Sequence, residues 1–326
     1  MKRLSAIVLY ILVAFSITAC SSHKAESEVL VKAKPIKVAV ETQDIRVMTV
    51  PNPINKITGA TIEDAFTANG FVVDGNNDMN MPFSLRYGKT WYKTYRLAVV
   101  HHQDITARLA KDYPSIGLIT PLSMSIWSSN DNKDISLSSL TLRGMSRITQ
   151  IPVTNPDLIA YAEAMDKAIK AAIPGGKYEG RNYNTVADMN MQLATLFTTE
   201  FDVDAKESFE EKLKAELEPV GFVFPSVINL NGELEKHGIT AYDYYDTYSV
   251  YKFDAIFPVS ETHPEVGAFT PSTFFIYKKK GETTTHMGFP SVDNWLTATE
   301  IKDEKSVKPL VEAQELLSNI VKVITE

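Results

Sequence analysis

His101-His102-Gln103-Asp104 places two imidazoles and a carboxylate within one short run. Imidazole titrates near neutrality and ligates metals through either ring nitrogen, so His101 and His102 with Asp104 are candidates for acid/base work or metal ligation, a haem axial position included. Neighbouring side chains of a strand point to opposite faces, so both histidines can join one site only if the strand ends between them. Otherwise they are solvated residues just beyond a strand. A second candidate set is aromatic: Tyr92 and Tyr95 in Tyr-Lys-Thr-Tyr, matched by Tyr245 and Tyr248 in Tyr-Asp-Thr-Tyr. A phenol ring offers a flat apolar face and a hydroxyl, which suits a ligand cleft and equally a sheet-to-sheet contact.

Other motifs carry less. Tyr87-Gly88-Lys89-Thr90 holds the Gly-Lys-Thr of a phosphate loop, but Phe83 stands where the first glycine belongs. Lys278-Lys279-Lys280-Gly281 reads as a solvated hairpin tip. The G-x-S-x-G, H-E-x-x-H and G-x-G-x-x-G patterns do not occur in the sequence, and the expectation is that the protein carries no cofactor.

The elements that must position these residues start after an N-terminal leader. Lys2 and Arg3 precede an apolar run from Ala6 to Ile17 and then Ile17-Thr18-Ala19-Cys20. That segment resembles a bacterial lipoprotein signal, which implies cleavage before Cys20 and acylation of its sulfur and new amino group. Cys20 is the one cysteine of the chain. Fatty acyl chains add about 0.8 kcal/mol per buried methylene, so two or three anchor a protein durably to a bilayer. Ser21 follows the cysteine where the inner-membrane retention signal would have Asp, and by resemblance the expected address is the bacterial outer membrane, facing the periplasm. There the acid/base or metal reading of His101, His102 and Asp104 would make the protein a periplasmic enzyme or a redox accessory.

With 326 residues, 44% hydrophobic and 22% charged, the chain can bury about two cores. A formal net charge of -7 argues against nucleic acid as a partner, because phosphate binding needs concentrated Lys and Arg. Residues 1–19 read as signal peptide and 20–36 as a polar tether. The stretch from Tyr113 to Pro121, with Pro114, Gly117 and Thr120-Pro121, returns as His263 to Pro271, with Pro264, Gly267 and Thr270-Pro271. Gly70-Phe71-Val72 returns as Gly221-Phe222-Val223, each after a helix expected to begin at Thr61 and near Ser208 or Asp204. Closing helices are expected from Asn155-Pro156 and Lys308-Pro309. The units span 37–174 and 189–326, with 175–188 as a breaker-rich linker.

These phrases, the Gly-Phe-Val, the Pro-x-x-Gly turn and the Thr-Pro strand, resemble the bacterial domain of unknown function number 302, over roughly 120 residues in each copy. The resemblance implies an α+β fold made of two tandem β-α-β4-α repeats. Each would be an antiparallel sheet with helices on one face, like half of the TATA-binding-protein saddle, and the copies would pair about a pseudo-two-fold axis. Single-domain members of that family pair as dimers, so the expected state here is a monomer containing an intramolecular pseudo-dimer; the shared shape implies no DNA role. The functional expectation is a non-catalytic module binding a small amphipathic ligand or an envelope protein, held to the lipid bilayer through acylated Cys20.

Overall fold

In the computed structural model, residues 42–130, 133–180, 193–201 and 203–325 are described and form one folded unit. The leader, Cys20, the tether, Val38-Ala39-Val40 and residues 181–188 of the linker lie outside them.

The fold is mixed α+β with two antiparallel sheets. The first contains β1 (Ile45–Pro51), β2 (Val72–Asp78), β3 (Thr94–His101), β4 (Leu122–Ser128), β5 (Asp134–Leu140) and β6 (Lys177–Tyr178), in the order β2-β3-β4-β5-β1-β6. The second contains β7 (Ala194–Glu200), β8 (Phe222–Asn229), β9 (Tyr242–Lys252), β10 (Ser272–Lys279) and β11 (Thr284–Pro290), in the order β7-β11-β10-β9-β8. Lys177 and Tyr178 pair with Thr49 and Met48, so the stretch read as linker begins by closing the first sheet.

Helices α1 (Gly59–Ala68), α2 (Asn80–Tyr87), α3 (Gln103–Asp112), α4 (Leu142–Thr149) and α5 (Pro156–Ala172) follow in the first half. The second half has α6 (Lys206–Leu217), α7 (Leu230–Lys236), α8 (Phe253–Ser260), α9 (Asp293–Ala298) and α10 (Glu304–Thr325). The β-α-β4-α expectation therefore omits α2, α3 and α4, and likewise α7, α8 and α9. These helices are too short for a period to register: α2 buries only Phe83, and α7 only Leu230 and Leu234. The asparagine-bearing stretches 76–80 and 229–231 are strand ends running into α2 and α7.

Local chemistry accounts for the helix ends. Thr58 caps α1, with Thr61 bonding back as the third residue of the helix in a capping box, so α1 begins two residues ahead of the start expected at Thr61. Asn155 caps α5 through Asp157 and Leu158 N–H, with Pro156 in the first turn as expected. Helix α10 starts at Glu304 behind Asp303, whose carboxylate accepts from Ser306 N–H, and Pro309 falls inside it. Gly70 and Gly221 take φ of +86° and +92°, the left-handed conformation that lets the chain reverse into β2 and β8. Helix α5 packs on α1 and α3, and α10 on α6 and α8. Under α10, Phe209, Leu217, Phe274, Met287 and Leu317 form an apolar core, each contributing about 1.5–3 kcal/mol by leaving water.

The halves meet through reciprocal contacts. Tyr95 hydroxyl donates to the Pro264 carbonyl, and Tyr245 hydroxyl to the Pro114 carbonyl. Ser123 donates to Pro271 O at 2.5 Å, and Thr273 to Pro121 O at 3.4 Å. A Cβ on Gly117 would fall on Tyr245 and Phe275, and one on Gly267 would fall on Ser125. Both Thr-Pro bonds, Thr120-Pro121 and Thr270-Pro271, are cis. The same chain shift takes Pro114 to Pro264, Gly117 to Gly267 and Pro121 to Pro271.

Candidate functional site

That shift also fixes which tyrosines match. Tyr95 pairs with Trp127 in β4 and Tyr245 with Tyr277 in β10, each at the same distance from its Thr-Pro, so Tyr95 matches Tyr245 rather than Tyr248. The repeated Tyr-x-Thr-Tyr phrase misleads by three residues because β9 carries more tyrosines than β3. Tyr95 and Tyr245 are fully buried at the seam, and Tyr248 lies in the second core with its hydroxyl donating to Glu210. Tyr92 donates to Glu261 O at 3.0 Å. These four residues hold the halves together and fill a core; they do not line a common cleft. Their burial pushes the Tyr95, Tyr245 and Tyr248 hydroxyls well above the usual phenol range.

His101 occupies a different environment. It is the last residue of β3 and only 1% exposed. Its Nδ1 lies 2.6 Å from Asp74 Oδ2, and its Nε2 lies 3.1 Å from both oxygens of Glu233. Asp74 sits in a β-bulge between Val73 and Gly75, which turns its side chain toward β3. Glu233 comes from α7 of the other half and also accepts from Gln103 Nε2 at 3.1 Å.

Burial alone would depress the imidazole, but the hydrogen bonds and charges of Asp74 and Glu233 prevail and raise His101 to about 9. Burial raises the Asp74 carboxyl against the pull of His101. Glu233 is held below its usual value: burial works to raise it, and the hydrogen bond and charge of His101 outweigh that. The arrangement is an imidazolium donating both N–H groups to carboxylates of opposite halves. Beside it an open cleft of ≈ 350 Å³ is lined by Val72, Val227, Ile228 and Asn229, with Asp74, Glu233 and Lys236 supplying its charges.

The neighbouring candidates do not join this cluster. His102 is the extended residue just before α3, packs edge-on against Phe71 at 5.4 Å, and is lowered mainly by burial. Asp104 is exposed and faces His237 at 3.3 Å. The strand does end at His101, yet the backbone turn into α3 sends the two imidazoles apart. Among the described residues no group of three His, Cys, Asp or Glu is placed to hold a metal ion.

Asp74 and Glu233 are the residues that sequence reasoning missed. The one available signal was Asp74 itself, a carboxylate interrupting the apolar Phe71-Val72-Val73. In the second half Tyr251 matches His101, and the β8 bulge contains Phe224 and Pro225, so the charged cluster exists on one side only. The Gly-Lys-Thr motif is structural: Tyr87 stacks on Phe257 at 3.9 Å, Gly88 ends α2, and Lys89 lies over Trp91.

No curated protein matches the chain. Among solved structures, the crystal structure of an uncharacterized conserved DUF302 protein from Bacillus stearothermophilus is similar at 16% identity, over 42% of this chain and 100% of that one, with a TM-score of 0.35. Residues 197–326, from within β7 to the end of the chain, match the family described as domain of unknown function DUF302.

Proposed function

We propose that this protein is an outer-membrane lipoprotein facing the periplasm, anchored through acylated Cys20, and that its two halves are tandem copies of one α+β unit paired about a pseudo-two-fold axis. Its function in this reading is binding without catalysis. The ligand site is the cleft beside Asp74 and Glu233, and the ligand is small and amphipathic. A hydrogen-bond-donating head would meet the carboxylates beside Lys236, and an apolar tail would lie along Val72, Val227 and Ile228.

The observation that carries this reading is the engagement of both His101 ring nitrogens by carboxylates from the two halves. An imidazolium that stays protonated to about pH 9 has no lone pair to serve as a general base at neutrality, and its donors are already occupied. The cluster works as a charged latch that fixes the walls of the cleft. Reciprocal seam contacts support the tandem pairing, and the leader ending at Cys20 supports the anchor.

Mass spectrometry of small molecules carried by natively purified protein tests the binding role. A stoichiometric amphipathic molecule is expected in the wild type and absent from Val227→Arg, which blocks the cleft from a half-exposed position. Retention of that molecule by the variant, or a stoichiometric metal in the wild type, would overturn it. Incorporation of radioactive palmitate that disappears in Cys20→Ser tests the anchor separately.

A further inference from the structure

Matching positions at the seam carry opposite chemistry. Where the first sheet has Ser125, Ser136 and Ser138, the second has Phe275, His286 and Gly288. In the first half Ser125 and Ser138 close on each other and Ser125 on the opposite turn, while Ser136 meets Thr49: Ser125 Oγ is 2.7 Å from Ser138 Oγ and 2.6 Å from the Pro264 carbonyl. The turn Pro264–Ala268 therefore sits directly on the sheet, with Gly267 against Ser125.

In the second half the corresponding turn, Pro114–Ile119, meets the Phe275 Cβ and the Tyr245 side chain instead. A pocket of ≈ 410 Å³ stays open there. Its floor is a ladder of near-parallel rings. Phe275 and Tyr277 are 5.7 Å apart at 18°, and Tyr277 and His286 are 4.9 Å apart at 17°. Leu118 and Ile148 from the first half form the apolar wall, and Leu196 stands on the rim at 63% exposure. A volume of this size lies in the range of small-molecule sites, and a parallel ring ladder favours another flat ring because offset stacking is worth about 0.5–1.5 kcal/mol beyond area burial.

We propose that this pocket is a second binding site, separate from the cleft at Asp74 and Glu233, and that it takes a planar aromatic molecule of one or two rings. Such a ring would extend the Phe275–Tyr277–His286 ladder and close against Leu118 and Leu196. Its polar substituent would lie at the His286 end of the ladder, where His286 Nε2 is 3.5 Å from Glu282.

The test is calorimetric titration of the full-length protein with 2-naphthol, using decanoate as an aliphatic competitor. Saturable one-to-one binding is expected. Leu196→Arg and Tyr277→Ala should each weaken it roughly ten-fold, as loss of one stacked or apolar partner implies, whereas Val227→Arg at the other cleft should leave it unchanged. Leu196 is exposed, so its variant keeps the fold, and thermal unfolding by circular dichroism verifies that. Absence of saturable binding, equal affinity in Leu196→Arg, or displacement by decanoate as effective as by naphthol itself would overturn the proposal. So would a monomer–dimer equilibrium abolished by Leu196→Arg in sedimentation, which would assign the pocket to a second copy of the chain.

Discussion

Glu233 reaches His101 across 132 positions of sequence, and both of its carboxylate oxygens lie 3.1 Å from the imidazole Nε2. With Asp74 on the other ring nitrogen, two carboxylates from opposite halves share one buried cation. Removing the cation leaves two partly buried anions facing each other. His101→Ala is therefore expected to destabilise the fold by about 3–5 kcal/mol, the range for breaking a buried ion pair from one side. Urea unfolding measures this; a loss below about 1 kcal/mol would show that water already screens the cluster.

The same contact gives stability a pH signature. His101 has a folded value of about 9 against 6.5 for the free side chain, so its contribution is fully present below about pH 6.5 and is lost as pH rises through about 9. The shift corresponds to an effect on the order of 3 kcal/mol. Glu233 acts on the acid side: held below 4.5, its contribution is present above that value and is lost as pH falls through its folded value. Unfolding midpoints of the wild type should fall between pH 7 and 10, while those of His101→Gln stay comparatively flat. Parallel curves would remove His101 from the account.

Much of this architecture was legible because turns and caps are local. Gly70, Gly221, Asn155-Pro156 and the two Pro-x-x-Gly turns announce themselves through backbone requirements that few other residues meet. The short helices were not legible, since α2 and α7 rest on one or two buried residues and take their support from the neighbouring half. The charged cluster was legible only at His101. Its partners lie in a bulge and on a helix of the other half, and no spacing rule links positions that meet only when two sheets dock. The tyrosines show the converse failure, a repeated phrase whose structural register differs from its sequence register.

The Tyr245 hydroxyl gives a direct measure of the seam. It donates to the Pro114 carbonyl from a fully buried position, so Tyr245→Phe deletes one hydrogen bond across the seam. A loss of about 0.5–1.5 kcal/mol is expected in urea unfolding. Tyr95→Phe should lose less, because its bond to Pro264 O is 3.5 Å long. Equal losses would mean that the two sides of the seam carry equal weight despite their different geometry.

Glycine at the seam offers the sharper comparison. A methyl on Gly117 would meet the Tyr245 hydroxyl and the Phe275 Cβ, whereas one on Gly267 would meet the Ser125 backbone N and Cβ. A side-chain hydroxyl can yield by a small ring rotation, but a strand backbone hydrogen-bonded on both sides yields only if the turn lifts away. Overpacking of a close contact costs about 1–3 kcal/mol, so Gly117→Ala is expected near the lower end and Gly267→Ala at or beyond the upper end. Thermal unfolding and small-angle scattering together check this: Gly267→Ala should lower the melting temperature more and expand the particle, because the obstacle on that side is the sheet itself. A larger loss from Gly117→Ala would mean that the Phe275 side, with its open pocket, is the tighter of the two.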